Sequence, residues 1–314
     1  MSTRHLSCAL VCALCAGCIG SDLDGADPSI DPGDDDTDVS EDAEATPVDA
    51  PAPDAPGATG ATVCLNADGP AGQDTYRLIE AALGRGAIER PDDDHSPPVR
   101  HIREEVDGTV GPHFVFLAHR DIDRDGDRTD RSRMEIKVAP SSGANNALKA
   151  RRGDTFTYTW RFKMNASIGF SSRFTHMFQL KSYQGDAGAP LITITGRKAS
   201  GGDRLEVIHT GPPSKGRIGN VSLSGLKGVW LDVSVRATFD DSGRFDMTIK
   251  KPDGTAVVTI HETGIDLWRG GDHIRPKWGI YRGLSNQLRP VEEDVRFANF
   301  AITPSANPTS TCRN

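Results

Sequence analysis

The stretch Arg275-Pro276-Lys277-Trp278-Gly279-Ile280-Tyr281-Arg282 sets a lysine and a tyrosine four positions apart around a glycine. In a strand, successive side chains point to opposite faces, so Lys277, Gly279 and Tyr281 share one face and Trp278 and Ile280 the other. The second face suits a core; the first suits holding an anion and moving a proton beside it. A tyrosine with an ordinary pKa of about 10 needs nearby positive charge to act as a base, and Lys277 stands as the group to supply it. The competing reading of Tyr281 is a buried aromatic with a hydrogen-bonded hydroxyl.

Three other stretches have polar faces of the same kind. Alternation in Arg131-Ser132-Arg133-Met134-Glu135-Ile136-Lys137 gathers Arg131, Arg133, Glu135 and Lys137 opposite Met134 and Ile136. In Phe174-Thr175-His176-Met177-Phe178-Gln179-Leu180-Lys181 it groups Thr175, Met177, Gln179 and Lys181, and sends His176 to the core side unless a bulge intervenes. In Leu191-Ile192-Thr193-Ile194-Thr195-Gly196-Arg197 the threonines and Arg197 face away from the isoleucines. Each alone reads as the solvent face of a half-buried sheet. Together, long cations, an amide and a tyrosine describe a groove for an extended anionic polymer.

The order Arg133-x-Glu135, Gln179-x-Lys181, Lys277-x-Gly279-x-Tyr281 resembles the concanavalin A-like jelly-roll polysaccharide lyases, including alginate lyases of family 7, heparin lyases of family 13 and glucuronan lyases of family 20. The resemblance runs from about His113 to Thr303. It implies an all-β jelly-roll sandwich of two antiparallel sheets that cleaves a uronic-acid polysaccharide by β-elimination. It further implies a catalytic set of Tyr281, Lys277, Gln179 and Arg133, with Lys181, Glu135, Arg131, Arg197 and His119 binding substrate. No cofactor is required on this reading. The expected partner is an anionic polysaccharide rather than nucleic acid, and the expected state is a monomer. Lys181 stands where alginate lyases have the histidine of Gln-x-His, which leaves the base open, with His119 and His113 as candidates. The C5 proton of a uronate is poorly acidic until the adjacent carboxylate is neutralised, so Gln179 with Arg133 or Lys181 would meet that carboxylate and the developing enolate. A base then takes the proton and an acid protonates the departing oxygen.

Other readings compete. A sheet with a polar concave face also serves lectins, so a non-catalytic carbohydrate-binding domain is the alternative, and a structural envelope lipoprotein needs no groove. The run Asp121-Ile122-Asp123-Arg124-Asp125-Gly126-Asp127 has the DxDxDG spacing of a calcium loop. Ser132 at the twelfth position rules out an EF-hand, and an acidic loop offset by Arg120, Arg124 and Arg128 is the rival to structural calcium at Asp121, Asp123 and Asp125. No CxxC pair and no Cys–His cluster occurs, which speaks against zinc. The ExDxxE carboxylate pair of jelly-roll glycoside hydrolases is missing, as are a P-loop, GxGxxG and GxSxG.

Positioning these groups requires a scaffold, and the 314-residue chain divides readily. Arg4 and His5 precede an apolar run, Leu6 to Leu14, then Cys15-Ala16-Gly17-Cys18: a secretory signal over 1–18, too short for a transmembrane helix. Ala16-Gly17-Cys18 resembles a bacterial lipobox, implying lipidation of Cys18, a membrane anchor and a place in the cell envelope or at the cell surface. The alternative is ordinary secretion. Residues 19–62 hold 13 of the 44 acidic residues and no Lys or Arg. Rich in Pro and Ala, they read as a self-repelling, disordered tether. With one Arg in the signal, the remainder has 35 basic against 31 acidic residues, about +4, although the whole chain is −8. Cys64 and Cys312 bracket the domain expected over 63–305, with a tail over 306–314, and an even pair in an exported chain reads as a disulfide. Between them the pattern predicts one helix, Asp74 to Leu83, then strands over 114–119, 133–138, 155–164, 174–181, 191–195, 205–209, 230–239, 244–250, 256–261, 277–281 and 295–303.

Overall fold

The computed structural model describes residues 60–139, 144–211, 213–305 and 312. The expectations for the signal, for Cys18 and for nearly all of the tether lie outside these residues, as does the tail apart from Cys312. Among the described residues no helix is long and apolar enough to cross a membrane.

The elements run β1 (Val63–Leu65), α1 (Thr75–Leu83), β2 (Ile88–Glu89), β3 (Ile102–Asp107), β4 (Gly111–Ala118), β5 (Arg131–Lys137), β6 (Thr155–Met164) and β7 (Thr175–Tyr183). They continue with β8 (Ile192–Ala199), β9 (Gly202–His209), β10 (Gly216–Ser222), β11 (Leu231–Thr238), β12 (Gly243–Lys250), β13 (Ala256–Ile265), β14 (His273–Gly283) and β15 (Glu293–Thr303). One antiparallel sheet has the order β13-β12-β11-β6-β15-β4-β3, with β1 added on β15. The other has the order β10-β9-β8-β7-β14-β5-β2. Two antiparallel sheets packed face to face make the jelly-roll sandwich that the resemblance implies.

Period-two alternation builds the layer between the sheets. In β6 it sends Phe156, Tyr158, Trp160 and Phe162 inward, all buried. In β14 it sends in Trp278 and Ile280. Trp160 stacks on Phe178 of the opposite sheet at 4.6 Å between ring centroids, and Trp278 meets Phe300 at 5.3 Å. Each such side chain taken out of water contributes about 1.5–3 kcal/mol. Helix α1 starts where the Asp74 carboxylate accepts the Arg77 backbone N–H, ends at Gly84, and buries Ile79 and Leu83. Cys64 and Cys312 form the expected disulfide, with Cα atoms 5.4 Å apart.

Candidate active site

Strands β5, β14 and β7 lie side by side, and their register sets the polar face of the second sheet. Lys277 faces Lys137 on one side and Gln179 on the other; Gly279 faces Glu135; Arg275 faces Lys181. Tyr281 faces Arg133 on β5 and His176 on β7. Between the Trp278–Phe178 and Tyr281–His176 pairs β14 spends two residues, Gly279 and Ile280, while β7 spends one. Gly279 makes this bulge workable. Its φ is +147°, and a Cβ there would lie 2.2 Å from the Met134 carbonyl oxygen on β5. Strand β7 also carries one extra residue, Met177, against β8, where His176 pairs with Thr195 and Phe178 with Ile194.

These bulges overturn simple parity. Met177 joins the hydrophobic core, and His176 turns onto the face of Tyr281, Gln179 and Lys181. Phe174 stacks on His176 at 4.7 Å and lies 5.1 Å from the Tyr281 ring, whose centroid is 6.0 Å from that of His176.

Tyr281 is fully buried between two arginines. Arg131 donates to its hydroxyl at 3.1 Å, and the Arg133 guanidinium lies 3.9 Å above its ring. Each arginine is held by a two-point carboxylate grip, Arg131 by Asp130 and Arg133 by Asp125, at 2.9 and 3.0 Å in both cases. The cation expected beside Tyr281 was Lys277. Four residues along a strand span about 13 Å, and Lys277 instead donates to Glu89 at 3.0 Å. Glu89 also accepts from Lys137 at 2.8 Å and lies 3.6 Å from Arg133.

Glu135 is buried and accepts from the Gln179 amide at 2.6 Å. Burial pushes its carboxyl up to about 7, against the pull of Lys277 and Arg133. His176 moves the other way. Burial first, then the charges of Arg197, Lys181 and Arg133, lower it to about 3, so it is neutral at ordinary pH. Its Nδ1 has no hydrogen-bond partner among the described residues. Lys181 donates to the Gly188 carbonyl at 3.3 Å. Arg197 is held by Glu206 at 3.1 Å and the Ser172 carbonyl at 2.6 Å, and its Nη2 makes no hydrogen bond among the described residues.

Thus Tyr281, Arg131, Arg133, Glu135, Gln179, Lys181 and Lys277 occupy one face as the alternation predicts, with Arg197 on β8 beyond β7. His119 does not join them. It packs with His95 and His101 at ring separations of 4.7 and 5.3 Å. His113 belongs to the other sheet, where Nδ1 meets the Gly111 carbonyl and the ring meets Trp230. The DxDxDG run does not gather around one centre. Asp121 is gripped by Arg120, Asp125 by Arg133, and buried Asp123 turns to the three histidines. Of the two readings of this run, the Arg120–Asp121 pair matches the acidic loop offset by arginines. The alternation did not reveal Glu89, on a two-residue strand with no pattern of its own.

No protein-family model matches the sequence, and no curated protein matches it. Solved structures do. The alginate lyase Aly36B superposes at a TM-score of 0.52 and 11% identity, over 81% of this chain and 100% of that one. The fold is shared. A lysine-and-tyrosine double variant of Aly36B, solved with an alginate tetrasaccharide, gives a TM-score of 0.51 at 11% identity, over 78% of this chain and 98% of that one. An endo-β-1,4-glucuronan lyase from the fungus Trichoderma reesei superposes at a TM-score of 0.44 and 16% identity, over 65% and 87% of the two chains.

Proposed function

We propose that this protein is a polysaccharide lyase that cleaves a uronic-acid-containing polymer by β-elimination. The observation that carries the reading is the pairing of Tyr281 with His176 across the Gly279 bulge, two proton carriers on one face among Arg131, Arg133, Gln179 and Lys181. The shared jelly roll is compatible with it, as is the alginate tetrasaccharide in the structure of the double variant.

In this reading Gln179 meets the uronate carboxylate. One of its amide hydrogens is committed to Glu135, which fixes the side chain and leaves the second for substrate. Cations around it lower the cost of the negative charge that builds as the C5–H bond breaks. The C5 proton passes to the base while its electron pair forms the C4–C5 double bond. The C4–O bond breaks, and the leaving oxygen takes a proton from the acid. Tyr281 exchanges protons in this scheme, with the Arg131 guanidinium on its hydroxyl and the Arg133 guanidinium over its ring. His176 is the second carrier. A bound uronate brings the negative charge that offsets Arg197, Lys181 and Arg133, so the imidazole becomes a better base when substrate arrives.

The test is to incubate the chain with glucuronan, alginate and heparin-type polymers and follow the ultraviolet absorbance of the unsaturated product. Wild type should produce it with at least one polymer; Tyr281→Phe should lose turnover by about a hundredfold or more while retaining binding. Glycan binding without product from any uronate polymer would favour a lectin-like module. A fully active Tyr281→Phe would remove Tyr281 from the mechanism.

A further inference from the structure

Away from that face, four potential ligands converge from the two segments that flank the β3–β4 hairpin. His95 and His101 come from the stretch between β2 and β3 and its start, while His119 and Asp123 come from the loop after β4. One ligand atom from each lies within 4.8 Å of all the others. His95 Nε2, His101 Nε2 and His119 Nδ1 stand 2.7, 3.0 and 3.3 Å from a single oxygen, Asp123 Oδ1. Asp123 Oδ2 meanwhile accepts the His119 backbone N–H at 2.5 Å.

Hydrogen bonding alone does not account for this geometry. One carboxylate oxygen offers about two acceptor sites, yet three ring nitrogens approach it. The third is surplus: His119 Nδ1 is a buried atom with no hydrogen-bond partner among the described residues. A cation at the centre answers this difficulty.

The outer contacts suit the same answer. His101 presents its other nitrogen, Nδ1, to Asp92 at 3.0 Å, and Asp92 is itself held by the Tyr76 hydroxyl at 2.8 Å. His119 presents Nε2 to Glu292 at 3.3 Å. A carboxylate on the far nitrogen fixes the tautomer and ring orientation of a metal-bound histidine. In a tetrahedral zinc site with bonds of about 2.0–2.1 Å, ligand atoms sit roughly 3.3 Å apart, close to the separations from Asp123.

We propose that His95, His101, His119 and Asp123 form a structural zinc site. Three nitrogens and one oxygen complete a tetrahedron, and a closed shell leaves no position for a reacting water. The site crosslinks the segment before β3 to the loop between β4 and β5. Two residues after Asp123 on that loop, Asp125 grips Arg133, so the zinc holds the support of the groove arginine in place. The absence of a CxxC pair or a Cys–His cluster does not bear on this site, whose ligands are three histidines and an aspartate brought together by the fold.

The test uses the full-length chain, stripped with a chelator, re-equilibrated with zinc chloride and measured for bound zinc by atomic emission. One zinc per chain is expected, with a higher melting temperature in the loaded protein. Cobalt loaded in its place should give the visible absorption of a tetrahedral ion. His101→Ala should bring zinc uptake close to zero, and Asp92→Asn should weaken affinity by about 10–100-fold. Should His101→Ala fail to fold, His95→Gln carries the test, since that ring lies nearer the surface. The proposal is overturned if folded, stripped wild type takes up less than about a tenth of an equivalent. It is equally overturned if His95→Gln or His101→Ala retains a full equivalent at wild-type affinity.

Discussion

Replacing His176 with glutamine should change how stability responds to acid. The folded protein holds this imidazole at about 3, against an ordinary 6.5, because burial and the charges of Arg197, Lys181 and Arg133 oppose its protonation. Below pH 6.5 the unfolded chain takes up a proton that the folded chain refuses, so stability falls as pH drops, down to the folded value. A gap of about 3.5 pH units at about 1.4 kcal/mol per unit amounts to roughly 5 kcal/mol at its full extent. About 2 kcal/mol of that is lost by pH 5. Other groups also bend the pH curve. His273, lowered mainly by burial to about 4, acts in the same sense, whereas Glu135, raised by burial to about 7, loses stability as pH rises toward that value. Both remain in the variant and largely cancel in a difference. Urea unfolding of wild type and His176→Gln at several pH values between about 5 and 8 should therefore show the wild type losing stability faster on acidification. The slope difference should approach one proton, about 1.4 kcal/mol per pH unit. Parallel curves would refute the placement of a buried, neutral imidazole among these cations.

Gly279→Ala should destabilise the protein by about 2–4 kcal/mol, because the new Cβ meets backbone on β5 that cannot step aside and the φ is one that L residues rarely adopt. Turnover should fall with it, since the bulge brings His176 opposite Tyr281; a wild-type melting temperature with full activity would contradict both points. Arg282 donates to Glu293 at 2.7 Å and both are buried, so Glu293→Ala, which strands the guanidinium, should cost about 3–5 kcal/mol in denaturant titrations. Replacing both residues by hydrophobic ones of similar volume should recover most of that loss, and no recovery would mean the pair does more than neutralise itself.

The eleven strands expected from alternation and turn residues all occur, because a half-buried strand writes period two into its sequence. Those missed are short or polar: β1 and β2 have three and two residues, β3 runs Ile-Arg-Glu-Glu-Val-Asp, and β10 is interrupted by Gly219. The groove face was legible for the same reason, up to the bulges. Alternation sends His176 inward unless a bulge intervenes, and a bulge has no signature in β7 itself; only the adjoining strands expose it. A positive-φ glycine in Lys-x-Gly-x-Tyr was the available hint. Contacts that join separate segments were not legible at all. Glu89 reaching Lys277 and the histidines at 95, 101 and 119 meeting Asp123 depend on tertiary closure, which no local spacing encodes.

The positions of the last two strands have a consequence for how the chain is made. β14 sits between β7 and β5 in the middle of one sheet, and β15 sits between β6 and β4 in the middle of the other. Both are inserted strands, and of the fifteen described they are the last to be synthesised. Until they arrive, the flanking strands of each sheet stay unjoined, with open hydrogen-bonding edges facing a gap, the exposure that invites pairing with other chains. Closing those gaps joins segments more than a hundred residues apart, as in the pairing of β14 with β5 and of β15 with β4, and such closure is intrinsically slow. Strand β14 also carries Lys277 and Tyr281. The polar face built on β5, β14 and β7 and the joining of the sheet are therefore completed in the same late event.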